Sequence, residues 1–348
     1  MVDNGQHTIL VTGGIGFIGS HTVIALQSQG FRVVVADNLS NSRVETLERI
    51  EQISGVKPVF HQLDCCDRAA VEELFSREKD IIATIHFAAL KAVGESVELP
   101  LRYYRNNLVS LINLLEEQKK AGVQHFVFSS SCTVYGEPDV LPVTEFTPVK
   151  PAESPYGNTK QVGEEIIRDF CHSTEFNAIA LRYFNPVGAH SSGLIGELPI
   201  GKPNNLIPYI TQTAAGFFPV LPVFGDDYNT PDGTCIRDYI HVEDVAEAHV
   251  SALQRLLSNR MAERFELFNI GTGKGYSVLE VIAAFDEASG QKLPYEIRPR
   301  RSGDIEKVYA DTSRSNEVLG WKAQKGIDQM MASAWLWQKN LSKTNIEL

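Results

Sequence analysis

Residues 7–19 read HTILVTGGIGFIG: a strand-like run, a glycine-rich turn, and the opening of a helical pattern at Phe17. Gly13, Gly16 and Gly19 stand three apart. That spacing suits a tight turn, close approach of the backbone to a pyrophosphate, and close packing of helix on strand, with phosphate at the helix N-terminus. The next apolar run, residues 32–36 (RVVVA), is followed at once by Asp37, 18 residues beyond Gly19. A carboxylate there accepts hydrogen bonds from ribose hydroxyls and repels a 2′-phosphate, so the pattern predicts a dinucleotide site for NAD rather than NADP.

Farther along the chain, residues 81–87 (IIATIHF) and 125–128 (HFVF) are again nearly continuous apolar runs, as a parallel sheet covered on both faces requires. Helical patterns over 17–29, 44–53, 68–77 and 101–121 separate the runs. The alternation predicts an α/β fold, a Rossmann-type doubly wound parallel sheet. Beyond about Tyr183, Gly, Pro and Asn crowd residues 185–208 and 217–233. This predicts a smaller, loop-rich α/β substrate-binding domain over 186–348. It is expected to pack on an NAD-binding domain over 1–185, completed by a return segment near 237–275, with a cleft between the two. Asp64 is expected to end the third strand, residues 60–64 (FHQLD), where an acid can bond the adenine amino group. Phe87, Ala88 and Ala89 follow the fourth strand, and the small residues there let the backbone lie against the cofactor, with Lys91 in reach of a ribose.

The chain has 348 residues, with 43 Asp and Glu against 32 Lys and Arg, a net charge of −11. That balance argues against nucleic-acid binding, which needs a basic footprint. The five cysteines (65, 66, 132, 171 and 235) include no Cys-x-x-Cys pair, so neither a disulfide framework nor a metal site is expected, and a reducing, cytoplasmic setting fits. Residues 1–6 are polar and read as no secretory signal, and no apolar run approaches the ~20 residues of a membrane span.

The chemistry centres on Tyr156 and Lys160 in PYGNTK, residues 155–160. Spacing i, i+4 puts both on one helix face. A nearby ammonium is expected to lower the phenol's pKa, making Tyr156 a general base for an alcohol proton. The pair alone is a weak signal. It gains weight from the serine cluster that ends a strand at residues 129–133 (SSSCT), in which a hydroxyl can bond the reacting oxygen; taken alone, the cluster would be a polar strand-end loop. With an NAD site, the constellation implies hydride removal from a carbinol carbon.

Together, the glycine pattern, the serine cluster and Tyr-x-x-x-Lys resemble the extended short-chain dehydrogenase/reductase superfamily. Longer blocks narrow it: GSHT (19–22), HFAALKAVGES (86–96), RYFNP (182–186), PNNLIPY (203–209) and RDYIHV (237–242) resemble the UDP-glucose 4-epimerase family over nearly the whole chain. The resemblance implies NAD contacts from Gly13, Phe17, Ile18, Asp37, Asn38, Leu39, Ser40, Asn41, Ser42, Asp64, Cys65, Lys91 and Asn106. It implies a catalytic trio of Ser131, Tyr156 and Lys160, which also meet the cofactor. Tyr183, Phe184 and Asn185 are implied at the junction of cofactor and substrate. Asn205, Leu206, Val223, Phe224, Arg237, Arg301 and Asp304 are implied contacts to a UDP-sugar, with Lys91, Ser131, Tyr156 and Phe184 shared between the ligands.

Read on their own, Arg237 and Arg301 are candidate diphosphate clamps, because guanidinium matches phosphate oxygens in fork geometry. Phe224 can stack on uracil, although an aromatic flanked by apolar residues is more often core. The position of Val308 is implied to line the pocket near the sugar's C2 substituent, where a residue smaller than Tyr leaves room for an N-acetyl group. Cys132 reads as a small-residue substitution and His241 as structural. The helices near 101–121 and 156–171 are implied to form a homodimer interface. Tyr103, Leu108, Leu111, Leu114 and Leu115 put apolar positions on more than one stripe of the first. Two other readings stay open: another NAD-dependent nucleotide-sugar enzyme (a uronate epimerase, dehydratase or decarboxylase), and an inactive NAD-binding scaffold.

Overall fold

The computed structural model describes residues 7–301 and 304–343; the polar start at 1–6, Ser302, Gly303 and residues 344–348 lie outside the described residues. β1 (Thr8–Thr12) is buried along its whole length, as its unbroken apolar and β-branched run dictates. The glycine turn leads into α1 (Phe17–Ser28). The alternation continues through β2 (Arg32–Asp37), α2 (Thr46–Ser54), β3 (Val59–Gln62), α3 (Arg68–Arg77), β4 (Ile81–His86), α4 (Val93–Glu98), α5 (Pro100–Lys120), β5 (His125–Ser131), α6 (Pro155–Ser173) and β6 (Asn177–Tyr183). Then follow β7 (Asn185–Val187), α7 (Leu206–Ala214), β8 (Leu221–Phe224), β9 (Ile236–His241), α8 (Val242–Leu257), β10 (Phe265–Ile270), β11 (Gly275–Ser277), α9 (Val278–Ser289), β12 (Tyr295–Arg298), β13 (Lys307–Val308) and α10 (Ile327–Leu341).

The main sheet is a seven-stranded Rossmann-type sheet in the order β10-β6-β5-β4-β1-β2-β3, parallel throughout. Strand order reverses between β1 and β4. A crevice therefore opens at their carboxyl ends, the place where such sheets bind ligands. β9 centres a smaller sheet with β7, β11 and β13, while β8 pairs with β12. α8 packs on α1, and β10 joins β6, so the chain returns to the main sheet after starting the small one. One core lies around Ile9, Val11, Leu26 and Ile85, and a second around Ile210, Val281, Phe285 and Met331.

Several local expectations are corrected. β3 stops at Gln62, so Asp64 lies in the turn beyond it, where its Oδ1 accepts from the Cys66 amide at 2.8 Å. An Asp that bonds its own backbone two residues on favours a turn over further strand. Ser129–Ser131 form no loop: they pair in register with Leu181–Tyr183 inside the sheet. α4 has no counterpart in the sequence reading. On α5, Tyr103, Leu111, Leu114 and Leu115 are buried against the protein's own core, and its outward apolar positions are Leu101, Val109 and Ile112. His241 caps α8, accepting from the Glu243 amide at 3.1 Å.

Candidate active site

A cleft of about 520 Å³ opens at the reversal of strand order. Gly13 has φ +68°, and a Cβ there would meet the Ala88 amide nitrogen at 2.8 Å. A Cβ on Gly19 would sit 2.2 Å from the Gly13 carbonyl oxygen. The turn is thus a cradle that only bare backbone can form. α1 starts behind it with no capping side chain and no acid in its first turn, so its amides and dipole face the cleft uncompensated. Asp37, buried at the end of β2, is oriented through Oδ1 by the Leu39 amide at 3.0 Å and the Ser42 hydroxyl at 2.7 Å. Asn38 donates to Asp64 at 3.3 Å, which holds these two strand-end segments together. Glycine cradle, open helix end and oriented acid fit a dinucleotide such as NAD.

The cleft brings together Gly13, Gly16, Phe17, Ile18, Gly19, Asp37, Asn38, Ser40, Asn41, Ser42, Asp64, Cys65, Phe87, Ala88, Ala89, Lys91, Asn106, Tyr156, Lys160, Tyr183 and Asn205. Leu39 and Ser131 stand beside it in sequence and contact without lining it. Leu39 takes φ +60°, the left-handed conformation that this sharp bend after β2 demands.

Ser154 caps α6 by accepting from the Gly157 amide at 3.1 Å, and Pro155 occupies its first turn, so Tyr156 enters the cleft from a fixed helix start. The Ser131 hydroxyl, at the end of β5, lies close enough to the Tyr156 phenol to favour its ionised form. The buried Lys160 donates to the Ser129 carbonyl at 2.7 Å, and its ammonium lies 5.9 Å from the Tyr156 ring centroid. The expected electrostatics are corrected here. Burial pushes the Tyr156 phenol up to about 12, against which the nearby Ser131 hydroxyl works in part. Burial also brings Lys160 down to about 7, opposed by the carboxylate of Glu164. Desolvation outweighs the ammonium because both groups are enclosed and Lys160 spends its close contact on a carbonyl rather than on the phenol.

The remaining predicted contacts lie outside that cleft. Arg301 pairs with Asp304 at 3.0 Å, and its guanidinium stacks 4.7 Å from the Phe224 ring centroid. Tyr239 lies within the electrostatic reach of Arg237, Arg301 and Asp304, and Cys132, next to Ser131, within that of Arg237. These segments, distant in sequence, thus gather on the serine side of the sheet. Phe184, Val308, Ala310 and Tyr135 form one small buried cluster. Val308 is 3% exposed and pairs in register with Arg237. Asn185 pairs with Tyr239, and Leu206 opens α7 behind Asn205. The Val223 side chain is in the second core, which leaves only its main chain for a ligand.

The chain is similar to known proteins over most of its length. A family model described as NAD dependent epimerase/dehydratase family matches residues 9–271. The chain belongs to that family. It is 51% identical to a UDP-glucose 4-epimerase of Bacillus subtilis, with 95% of this chain and 97% of that one aligned. Among solved structures, UDP-glucose 4-epimerase of Stenotrophomonas maltophila, with bound NAD and formylated UDP-arabinopyranose, superposes with TM-score 0.93 at 50% identity, covering 97% of this chain and 99% of that one. The Bifidobacterium longum enzyme, in complex with NAD+ and UDP, gives TM-score 0.92 at 49% identity, covering 96% and 98%.

Sequence reading missed one wall of the family's cleft. Ile195–Ile200, Lys202, Arg49 and Trp337 line it. Glu197 pairs with Lys91 at 3.0 Å and accepts from Asn205 at 2.6 Å, tying together two distant parts of the cleft lining. Arg49 of α2 stacks 5.1 Å from the Trp337 ring of α10. No short motif marks these residues, since they meet only through the fold.

Proposed function

We propose that the protein is a UDP-glucose 4-epimerase, an NAD-dependent isomerase that inverts C4 of a UDP-hexose. The observation that carries this reading is the Ser131–Tyr156–Lys160 constellation standing at the end of a glycine-cradled dinucleotide cleft. Gly13, Gly16, Gly19, Asp37, Lys91 and Asn106 would hold NAD. When bound, NAD supplies the acceptor for the C4 hydrogen as hydride and returns it, so inversion carries no net oxidation.

The chain's own residues do the rest. Tyr156 takes the proton of the 4-hydroxyl while Ser131 bonds the same oxygen, and Tyr156 gives the proton back once the hydrogen has returned to the opposite face. Lys160 places positive charge beside the phenol, which eases ionisation of a group that burial holds up near 12. Arg237, Arg301 and Asn205 anchor the UDP. Affinity concentrated there, and not on the hexose, leaves the 4-keto sugar free to turn.

The same reading covers UDP-N-acetylglucosamine and UDP-N-acetylgalactosamine, on the ground that Val308, not an aromatic, stands in register with Arg237 beside Phe184. The division of labour follows the chain: 1–185 with the return segment for NAD, 186–348 for the UDP-sugar. A homodimer is supported by the outward Leu101, Val109 and Ile112 of α5, and a cytoplasmic setting by free cysteines. No helix among the described residues is long and apolar enough to cross a membrane.

Proton NMR of the anomeric region tests the proposal. Purified protein with no added NAD should convert UDP-galactose to UDP-glucose, and UDP-N-acetylgalactosamine to its gluco partner. Conversion of UDP-galactose alone discards the argument from Val308. Silence with both sugars, even after NAD is added, overturns the epimerase reading.

A further inference from the structure

One turn beyond Lys160, on the same helix, lies Glu164, 3% exposed. Its Oε1 accepts from the Ser130 hydroxyl at 2.5 Å and from Arg182 Nε at 2.8 Å, and its Oε2 accepts from Arg182 Nη2 at 2.5 Å. Ser130 and Arg182 are a register pair of β5 and β6, 0% and 2% exposed. Arg182 also sits 4.9 Å from the Tyr135 ring centroid. None of these groups lines the cleft.

Their chain neighbours do the work of the site. Ser129, one residue before Ser130, receives Lys160, and Ser131, one residue after, faces the Tyr156 phenol. Tyr183, one residue after Arg182, lines the cleft and pairs in register with Ser131. Because side chains alternate along a strand, Ser130 points away from the direction its two neighbours take. A buried ion pair is a poor stabiliser, since apolar residues of similar volume serve a core as well or better. Its distinctive property is fixed geometry, above all where Arg grips a carboxylate through two parallel bonds.

We propose that Glu164 is the positioning residue of the Tyr156–Lys160 pair: tied to Ser130 and Arg182, it fixes the rotation and register of α6 against β5 and β6, so that Lys160 meets Ser129 and Tyr156 meets Ser131. The proposal rests on the epimerase reading, in which that pair does the proton chemistry. It carries a second effect through charge. Lys160 is faced by the Ser129 carbonyl and hydroxyl and the Phe128 ring from β5, by Tyr156 and Glu164 on its own helix, and by His86 of β4, which burial keeps neutral. Behind Glu164 stands Arg182 of β6. Glu164 is the acid in this set, and it favours the charged form of Lys160 and, through it, the phenolate.

The test replaces the pair with an apolar one, Glu164→Met with Arg182→Met, so that no charge is orphaned, and uses Ser130→Ala as a milder second variant. Each is purified with NAD and assayed on UDP-galactose from pH 6 to 9, beside wild type and Tyr156→Phe. In the double variant kcat should fall about tenfold to a hundredfold while KM stays within about twofold, as for a misplaced reacting group. The rising limb of its kcat–pH profile should move to higher pH. Ser130→Ala should show the same split with a smaller loss. A folded double variant with wild-type kcat and pH profile overturns the proposal, as does a change confined to thermal stability or KM. If the double variant does not fold, Ser130→Ala decides: reduced kcat with unchanged KM supports positioning, and unchanged kcat overturns it. Undiminished turnover by Tyr156→Phe is a different result, and removes the epimerase reading itself.

Discussion

On one wall of the cleft, the glycine turn, Asp37 and Phe87–Ala89 follow the ends of neighbouring strands of one parallel sheet. On the other side, Phe224, Arg237 and Arg301, which lie outside the cleft, and the 195–205 loop, which lines it, come from four separate stretches. The first wall is stiff because each of its segments starts at the end of a buried strand. The second is assembled by side-chain pairs: Arg301 with Asp304, Glu197 with Lys91 and Asn205. Backbone fixes the first wall; in the function proposed above, side chains hold the part that receives a turning sugar.

Tyr156→Phe, at the join of the two walls, should have the largest effect. Losing the base should lower kcat by about 10²–10⁴ in the UDP-galactose assay, with NAD content unchanged. Arg237→Ala should act on the second wall alone. Removing a charge-assisted phosphate contact worth about 1.5–3 kcal/mol should raise KM for the UDP-sugar roughly tenfold to a hundredfold, with kcat much less affected. Gly19→Ala should act on the first. Its new Cβ would sit 2.2 Å from the Gly13 carbonyl oxygen. Forcing that space should cost about 1–3 kcal/mol, read as roughly tenfold weaker retention of NAD on gel filtration. If Arg237→Ala instead strips NAD, or Gly19→Ala weakens UDP binding alone, the two walls are not separable and the comparison fails.

Acid bears on the fold beneath both walls. Burial lowers His21, His86 and His249 to about 4, 3 and 4, all within the main sheet and its helices. The unfolded chain takes up these protons at about pH 6.5 and the folded chain does not, so the folded state loses ground as pH falls below that value. Above pH 6.5 these residues should leave stability flat. From 6.5 down toward 4, urea unfolding should show a loss of up to about 1.4 kcal/mol per pH unit for each histidine. A flat profile across that window would show that protons reach these residues in the folded protein.

The contrast between the walls also explains what could be read in advance. Gly13, Gly19 and Asp37 were legible because local conformation and strand ends alone place them. Tyr156 and Lys160 were legible because i, i+4 spacing survives folding. Their charge states were not, because enclosure is a property of the folded chain: the expected lowering of Tyr156 by Lys160 reverses once both are buried. Glu197 and Trp337 could not be anticipated from spacing, as their partners lie 106 residues away at Lys91 and nearly 300 away at Arg49. Val223 illustrates the limit of carrying a position over without its orientation, since its side chain turns into the second core.

The position of β10 sets how this molecule can be cut. β10 is parallel to β6 along its full length, from Phe265↔Ala178 to Ile270↔Tyr183, and α8 covers α1. A fragment ending near residue 185 would keep every cofactor motif in its primary structure. It would also leave β6 as a bare, apolar sheet edge with a row of unmatched amides and carbonyls, a template for self-association. The two halves therefore cannot be expressed as interchangeable modules. Grafting a new sugar specificity onto this scaffold has to proceed loop by loop, within an intact chain.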